Sequence, residues 1–336
     1  MSKKILIVDR VHPLLVETLS ERGYLCETNQ TLTHNQFVDL PDTYYGLIIR
    51  SRFPVDKVAL SSKPNLRFVL RIGSGVEHID IDYAKELGIC CLSTPEGNAG
   101  SVAEHCLGML IAALKNIPIA NNEVRQGNWL REKNKGSLIE THTIGIIGYG
   151  NTGPAFAKML APFGCTILAY DIRPDFISDP YCQKASLDEI LEKCDVISIH
   201  INYTPENHYF VNSEFLNRWK NPFILINSSR GQVLNCDDLL LFVTQNKLHC
   251  ACLDVLEYEN VKLQIPEKEQ WTDTLQKIME NDRFIITPHI AGQTTDAERK
   301  HALFALYLLH RHTMGARARS TNLIFLKFTL WKIYKK

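Results

Sequence analysis

Neither sign of charge is in excess in this chain: Lys plus Arg and Asp plus Glu each total 37 among 336 residues. That balance removes the reason to expect a nucleic-acid or anionic-membrane partner. Pairing motifs for cysteine are also missing. Ten cysteines are present, yet no Cys-x-x-Cys pair occurs and no Cys/His cluster has zinc-ligand spacing. They lie in apolar runs such as GICCLST and LHCACLDV. They are therefore expected as reduced, mostly buried small hydrophobes of a cytoplasmic protein that holds no metal. Long hydrophobic runs are lacking at the start. MSKKILIVDR offers only Ile5 to Val8 before Asp9, too short for a signal-peptide core and far too short for a membrane span. It reads as a first β-strand.

What is present is an ordinary globular composition, 45% apolar and 22% charged, long enough for about two domains. Short apolar runs at 5–9, 44–50, 66–73 and 89–95 alternate with the polar helical stretches HPLLVETLSERG, FPVDKVALSS and HIDIDYAKELG. Continuous apolar strands separated by helices imply a parallel sheet covered on both faces. SVAEHCLGMLIAALKNIPIANNEVRQGNW reads as one long buried helix, with Pro118 as the place where it would kink or break. From Thr141 the strand–helix pattern restarts, with strands at CTILAYD, 194–201, 222–229, 249–256 and FIITPHI. The acid-rich stretch from Glu259 to Asp282 reads as a solvated loop and helix. After His310 the chain mixes basic and apolar residues, which suits a helix packing on the body plus a basic tip.

The restart carries a glycine loop, GYGNTG, formed by Gly148, Tyr149, Gly150, Asn151, Thr152 and Gly153. It follows the strand TIGII and opens the helix PAFAKMLAPFG, the context a dinucleotide-binding turn requires. Gly148 permits the tight turn, Gly150 lets the backbone approach a pyrophosphate, and Gly153 lets helix and sheet pack closely. The next strand ends at Asp171, whose carboxylate suits ribose hydroxyls and repels a 2′-phosphate. NAD is therefore the expected cofactor, with Arg173 keeping NADP open.

Three later strands end in polar residues: LINSSRG in Arg230, HCACLDVLEYE in Asp254 and Glu259, and FIITPH in His289. Ligands of open α/β sheets bind beyond the carboxyl ends of the strands. Histidine is the natural acid/base for a hydroxyl proton, a carboxylate orients its ring, and arginine suits a substrate carboxylate. Beside a dinucleotide, this set points to interconversion of a 2-hydroxy acid and a 2-keto acid. A structural ion pair between Arg230 and Glu259 is the competing reading.

RIGSGVEHID, TPEGNAGSVAEH, GIIGYGNTG, NSSRGQVLNCDDL, CLDVLEYE and TPHIAG occur in this order, and with them the chain resembles the D-isomer-specific 2-hydroxyacid dehydrogenases, most closely the phosphoglycerate dehydrogenase branch. The resemblance runs from about Ile5 to about Ala305. It implies Arg230 as the substrate-binding and polarising residue, His289 as acid/base and Glu259 as its partner. It places Asp254 on the nicotinamide carboxamide, His200 and Ser229 on the cofactor side, and Ser51, Arg52, Ser74, Gly75 and Asn98 near the substrate. It also implies two flavodoxin-like or Rossmann-like parallel domains. Residues 1–98 with 293–336 form a substrate domain, and 99–292 an inserted NAD-binding domain, with the active site in the cleft. A homodimer is implied through the loop GNWLREKNKG (127–136). A phosphorylated substrate such as 3-phosphoglycerate, the pair of serine biosynthesis, would want the further cations Arg50, Arg52 and Arg71. Glycerate and lactate stay open, as does an NAD(H)-binding redox sensor or co-repressor without turnover. Cys236 and Asp237 stand where many relatives carry Asp–Glu. No proline follows Glu259, which is expected to loosen it.

Overall fold

The apolar runs of the first hundred residues become five parallel strands: β1 (Lys4–Ile7), β2 (Leu25–Thr28), β3 (Tyr44–Ile49), β4 (Phe68–Arg71) and β5 (Cys90–Ser93). They pair in the order β2-β1-β3-β4-β5, the flavodoxin-like arrangement. Ile5, Leu6 and Ile7 are all fully buried, although successive side chains leave a strand on opposite faces. Both faces are therefore covered, which explains continuous apolar runs in place of alternation. One cover is the helix Thr295–Met314, whose Ala302, Ala305, Leu306 and Leu309 join Ile5, Ile7 and Leu15 in one apolar cluster.

A computed structural model describes residues 3–173, 179–219, 222–260 and 263–314. The chain divides into two compact units, Met1–Asn98 with Gln293–Lys336 and Ala99–Gly292, so the second is inserted into the first. The basic and apolar tail expected as a tip lies, from residue 315 onward, outside the described residues.

The inserted unit holds β6 (Thr143–Ile147), β7 (Thr166–Tyr170), β8 (Gln183–Lys184), β9 (Val196–Ile199), β10 (Phe223–Asn227), β11 (Leu248–Leu253) and β12 (Phe284–Ile286). They form one parallel sheet in the order β12-β11-β10-β9-β6-β7-β8. The chain leaves β6 toward β7 on one side and returns to β9 on the other. That reversal is the switch point at which doubly wound sheets bind ligands.

The structure differs from the sequence expectations in four places. The single long helix is two, Ala99–Leu114 and Ile117–Arg125, inclined at 59°. The break is at Asn116, in the left-handed conformation at φ 52°. Pro118 falls in the first turn of the second helix, where its missing N–H is tolerated. No single helix among the described residues is long and apolar enough to cross a membrane. The acid-rich stretch contributes more than solvated surface, because its helix Asp273–Met279 buries Leu275 and Ile278 completely. All ten cysteines are free, but only five are buried, the other five being half-buried. Strands β2 and β8 and the helix His34–Asp39 are additional elements.

Candidate active site

The glycine loop leaves β6 at the switch point. Gly148 has φ 91°, a left-handed backbone that strains any residue with a Cβ. A Cβ there would also lie 2.5 Å from the His200 carbonyl oxygen, just past β9. A Cβ on Gly153 would lie 2.4 Å from the Gly148 carbonyl, so the helix Thr152–Leu160 starts hard against the turn. Gly150 faces open space, with nothing within 4 Å of an added Cβ. Asn151 caps that helix without a side-chain hydrogen bond. Room at Gly150 and a helix N-terminus lacking a side-chain cap fit a pyrophosphate.

Asp171 lies one residue past β7. Its carboxylate accepts from the Tyr149 N–H at 2.7 Å and from the Arg173 N–H, Nε and Nη2 at 2.9, 2.7 and 3.0 Å. Burial pushes its pKa up, but the hydrogen bonds from Arg173 and Tyr149 outweigh burial and hold it below the ordinary value. The carboxylate is thus an ionised acceptor, but one that Arg173 already covers. Tyr149 is buried, its hydroxyl donating to Asp179 at 2.7 Å, so only its backbone faces the turn. His200 differs similarly from a side chain aimed at a cofactor. Its ring packs on Phe156 with centroids 5.6 Å apart, and its Nε2 meets Ser198 Oγ at 2.9 Å. Burial pushes its pKa down to about 4, so it is neutral near pH 7.

The neighbouring strands β10, β11 and β12 deliver Arg230, Glu259 and His289 to one edge of the sheet. Glu259 is held through both oxygens. Oε1 accepts from the Leu256 N–H at 2.7 Å, and Oε2 meets His289 Nδ1 at 2.6 Å. Where the proline is missing, the Asn260 N–H donates to the Gln264 carbonyl at 2.9 Å and Asn260 Oδ1 accepts from the Gln264 N–H at 3.2 Å. A carboxylate only accepts, so Nδ1 carries the proton in that bond and Nε2 is the other ring nitrogen. His289 is left-handed, at φ 55°. The half-buried Arg230 donates from Nη1 to the Ser229 carbonyl at 2.7 Å. Ser229 in turn gives its N–H and hydroxyl to Asn227 Oδ1 at 3.0 and 2.7 Å. Cys236 is buried at the start of the helix Cys236–Thr244 and has a packing position.

Asp254, only 1% exposed, turns its carboxylate toward the loop after β12. It accepts from Thr287 Oγ1 at 2.6 Å, the Ile290 N–H at 2.9 Å and the Ala291 N–H at 2.8 Å.

In the Met1–Asn98 unit, Ser74 Oγ donates to Asn98 Oδ1 at 2.9 Å, so these two candidates do meet, and the half-buried Gly75 follows in the same turn. The exposed Ser51 and Arg52 belong to a loop gathered by Asp9. Asp9 Oδ2 accepts the N–H groups of Arg50, Ser51 and Arg52 at 2.6, 3.1 and 3.2 Å. Arg52 Nε points inward to Asp9 and the Val8 carbonyl, at 3.2 and 2.9 Å. Asp9, Asn227 and Thr287 are the residues that sequence reasoning passed over. Each is a polar residue at a strand end whose partners are remote in sequence, and only a polar residue closing an apolar run could have signalled it. No group of three or more His, Cys, Asp or Glu among the described residues could hold a metal.

Residues 107–291 match the family model described as D-isomer specific 2-hydroxyacid dehydrogenase, NAD binding domain. Hydroxypyruvate reductase of Thermotoga maritima is 30% identical over 286 residues, covering 84% of this chain and 90% of that protein. D-3-phosphoglycerate dehydrogenase of Mycobacterium tuberculosis is 29% identical over 296 residues, 88% of this chain. The chain spans 54% of that longer relative. Among solved structures, D-lactate dehydrogenase from Aquifex aeolicus, complexed with NAD and lactic acid, superposes with a TM-score of 0.78 at 26% identity, covering 93% of this chain and 96% of that one. A D-2-hydroxyisocaproate dehydrogenase reaches 0.81 at 22% identity, covering 94% and 98%, a likeness of fold.

Proposed function

The chain belongs to the D-isomer specific 2-hydroxyacid dehydrogenase family, and on that premise we propose that it interconverts 3-phosphoglycerate and 3-phosphohydroxypyruvate, with His289 as acid/base. The general reaction of the family is NAD-dependent exchange between a D-2-hydroxy acid and its 2-keto acid. The observation that carries the assignment of roles is the 2.6 Å hydrogen bond between His289 Nδ1 and Glu259 Oε2. A nicotinamide cofactor held at the glycine turn would supply the hydride for the keto carbon. Arg230 binds the substrate carboxylate and polarises the adjacent carbonyl. His289 Nε2 gives its proton to the carbonyl oxygen, while Glu259 stabilises the imidazolium beforehand. In the oxidising direction neutral His289 takes the hydroxyl proton at the same nitrogen. Gly148 to Gly153 and the helix start at Thr152 would hold the pyrophosphate and Asp171 the ribose, with Ser229 and the His200 backbone beside them.

Support for a phosphorylated substrate comes from the other unit. Burial first, and then the charges of Arg50 and Arg71, push the pKa of His301 down to about 4. Arg71 stands beside the 73–75 turn, its Nη1 donating to the Ile72 carbonyl at 3.0 Å, and Arg50 lies one residue past the adjacent strand β3. Arg52 favours the second reading, a non-phosphorylated acid such as glycerate or lactate, because its Nε is already held by Asp9. A homodimer is the assembly we assign, resting on exposed Ile117, Val124, Trp129, Leu130 and Leu138 along one stretch of chain.

The test follows NADH absorbance with 3-phosphohydroxypyruvate, hydroxypyruvate, pyruvate and glyoxylate, on wild type and His289→Ala. The expected result is a preference for the phosphorylated acid that His289→Ala removes. Full activity in His289→Ala would overturn the assigned acid/base. Tight NADH binding without oxidation by any keto acid would identify a sensor instead.

A further inference from the structure

We infer that His105, Thr287 and Asp254 form a relay of hydrogen bonds whose task is to hold the left-handed turn that presents His289. All four residues lie in the Ala99–Gly292 unit. The inference rests on the reading of His289 as acid/base, and it concerns positioning residues, none of which need touch the substrate.

The donors can be ordered from valence alone. Thr287 Oγ1 is 2.6 Å from Asp254 Oδ1, and a carboxylate only accepts, so the hydroxyl proton belongs to that bond. His105 Nε2 lies 2.9 Å from the same Oγ1. With its proton committed, Oγ1 accepts there, and His105 must carry its proton on Nε2. The relay therefore runs in one direction, from the helix Ala99–Leu114 through the end of β12 to the end of β11. His105 Nε2 is also 3.6 Å from Asp254 Oδ1, outside hydrogen-bond range, so Thr287 Oγ1 bridges the two.

At the far end, Asp254 grips the turn on both sides of His289. Its carboxylate takes the N–H groups of Ile290 and Ala291, and its own carbonyl takes the His289 N–H at 2.8 Å. The His289 N–H is shared with the Thr287 carbonyl at 3.0 Å. His289 sits at φ 55°, which a residue with a Cβ adopts only when its surroundings over-determine it. Three of the roughly four acceptor directions of the Asp254 carboxylate are used in this grip. By resemblance that carboxylate belongs to the nicotinamide carboxamide. In this structure most of its hydrogen bonding is directed to the turn.

The experiment uses full-length protein in five forms: wild type, His289→Ala, Thr287→Val, Thr287→Ser and His105→Leu. Wild type and His289→Ala establish whether the acid/base reading holds, separately from the relay. Given that it does, Thr287→Val is expected to lower kcat at least tenfold, with the NADH Kd and the keto-acid KM within about twofold. Thr287→Ser, which keeps the hydroxyl, should restore wild-type kcat, and His105→Leu should lower kcat by severalfold. A second readout needs no turnover: the His289 Nδ1 proton, identified by NMR through its loss in His289→Ala, should shift or broaden in Thr287→Val and His105→Leu. Unchanged kcat and proton signal in both variants would overturn the relay. So would equal impairment of Thr287→Ser and Thr287→Val, or a loss that follows NADH affinity. If Thr287→Val does not accumulate folded, His105→Leu decides by the same criteria, since the His105 side chain is 20% exposed and lies on a different element from the turn.

Discussion

Acidifying this protein from pH 7.5 to 5.0 should destabilise it before any carboxylate contributes. His200 and His301 lie in separate units, 9% and 6% exposed, and burial pushes both to a pKa of about 4. In the unfolded chain a histidine titrates near 6.5. Between these values the unfolded state binds more protons, so stability falls as pH falls through the window and levels off below 4. At pH 5.0 the difference is about 2 kcal/mol for each histidine, and about 4 kcal/mol if the units unfold together. That is a large share of a stability of roughly 5–15 kcal/mol. With a urea slope of roughly 2 kcal/mol/M, each unit's midpoint should drop by about 1 M. His312 is also held low, by burial and then Lys3, but it is more exposed and adds less. Asp171 is held below the ordinary carboxylate value, so its loss comes at lower pH. The assay is urea unfolding at pH 7.5 and 5.0 for wild type, His200→Gln and His301→Gln. Each variant loses stability at both pH values, and the informative quantity is the difference between them. That difference should shrink by about 2 kcal/mol per variant. An undiminished pH difference in both variants would refute the assignment of acid sensitivity to these two rings.

Other substitutions separate packing from binding. Gly148→Ala should lose both NADH affinity and about 1–2 kcal/mol or more of stability, from the left-handed backbone and the His200 carbonyl beneath it. Gly150→Ala, which faces open space, should keep its melting temperature while losing NADH affinity by fluorescence titration, and equal melting losses in the two would contradict the geometry. Arg50→Ala should raise KM for the phosphorylated keto acid at least tenfold more than for pyruvate, whereas Arg52→Ala should lower stability with little change in that ratio. If the proposed homodimer forms through this stretch, light scattering should find wild type dimeric and Trp129→Glu, which replaces a side chain 76% exposed, monomeric at the same concentration.

Arg230, Glu259 and His289 can be read from the sequence because each follows an apolar run, and adjacency of their strands is what a parallel sheet supplies. The glycine loop is legible for the same reason: its strand and helix flank it directly. Strand β2 escapes notice because it is an edge strand with mixed exposure, and β8 because two residues carry no periodicity. The helix break is legible from Pro118, whose missing N–H and ring cannot continue the helix past Leu114, but the left-handed turn at Asn116 that carries it is not. The inward turn of His200 is invisible for another reason. Its partners are Phe156 and Ser198, and no pattern in the sequence says which face of β9 the ring follows.

Three aspartates account for much of what sequence alone leaves dark at the functional edges. Asp9 lies two residues past β1, Asp171 one past β7 and Asp254 one past β11. Each collects two or three backbone N–H groups: Arg50 to Arg52, Tyr149 with Arg173, and Ile290 with Ala291. Loops beyond a parallel sheet have donors that the strands no longer satisfy, and buried donors without partners are costly. An ionised carboxylate at the strand end satisfies several at once, through charge-assisted bonds stronger than neutral ones. A strand-end aspartate in such a fold is therefore a loop-holder first, and a ligand contact only with the acceptor directions that remain. On the proposed reading, Asp171 and Asp254 would meet a cofactor on those terms. Removing either carboxylate should loosen the loop as well as the ligand, so a loss of activity in Asp171→Ala or Asp254→Ala does not by itself identify a cofactor contact.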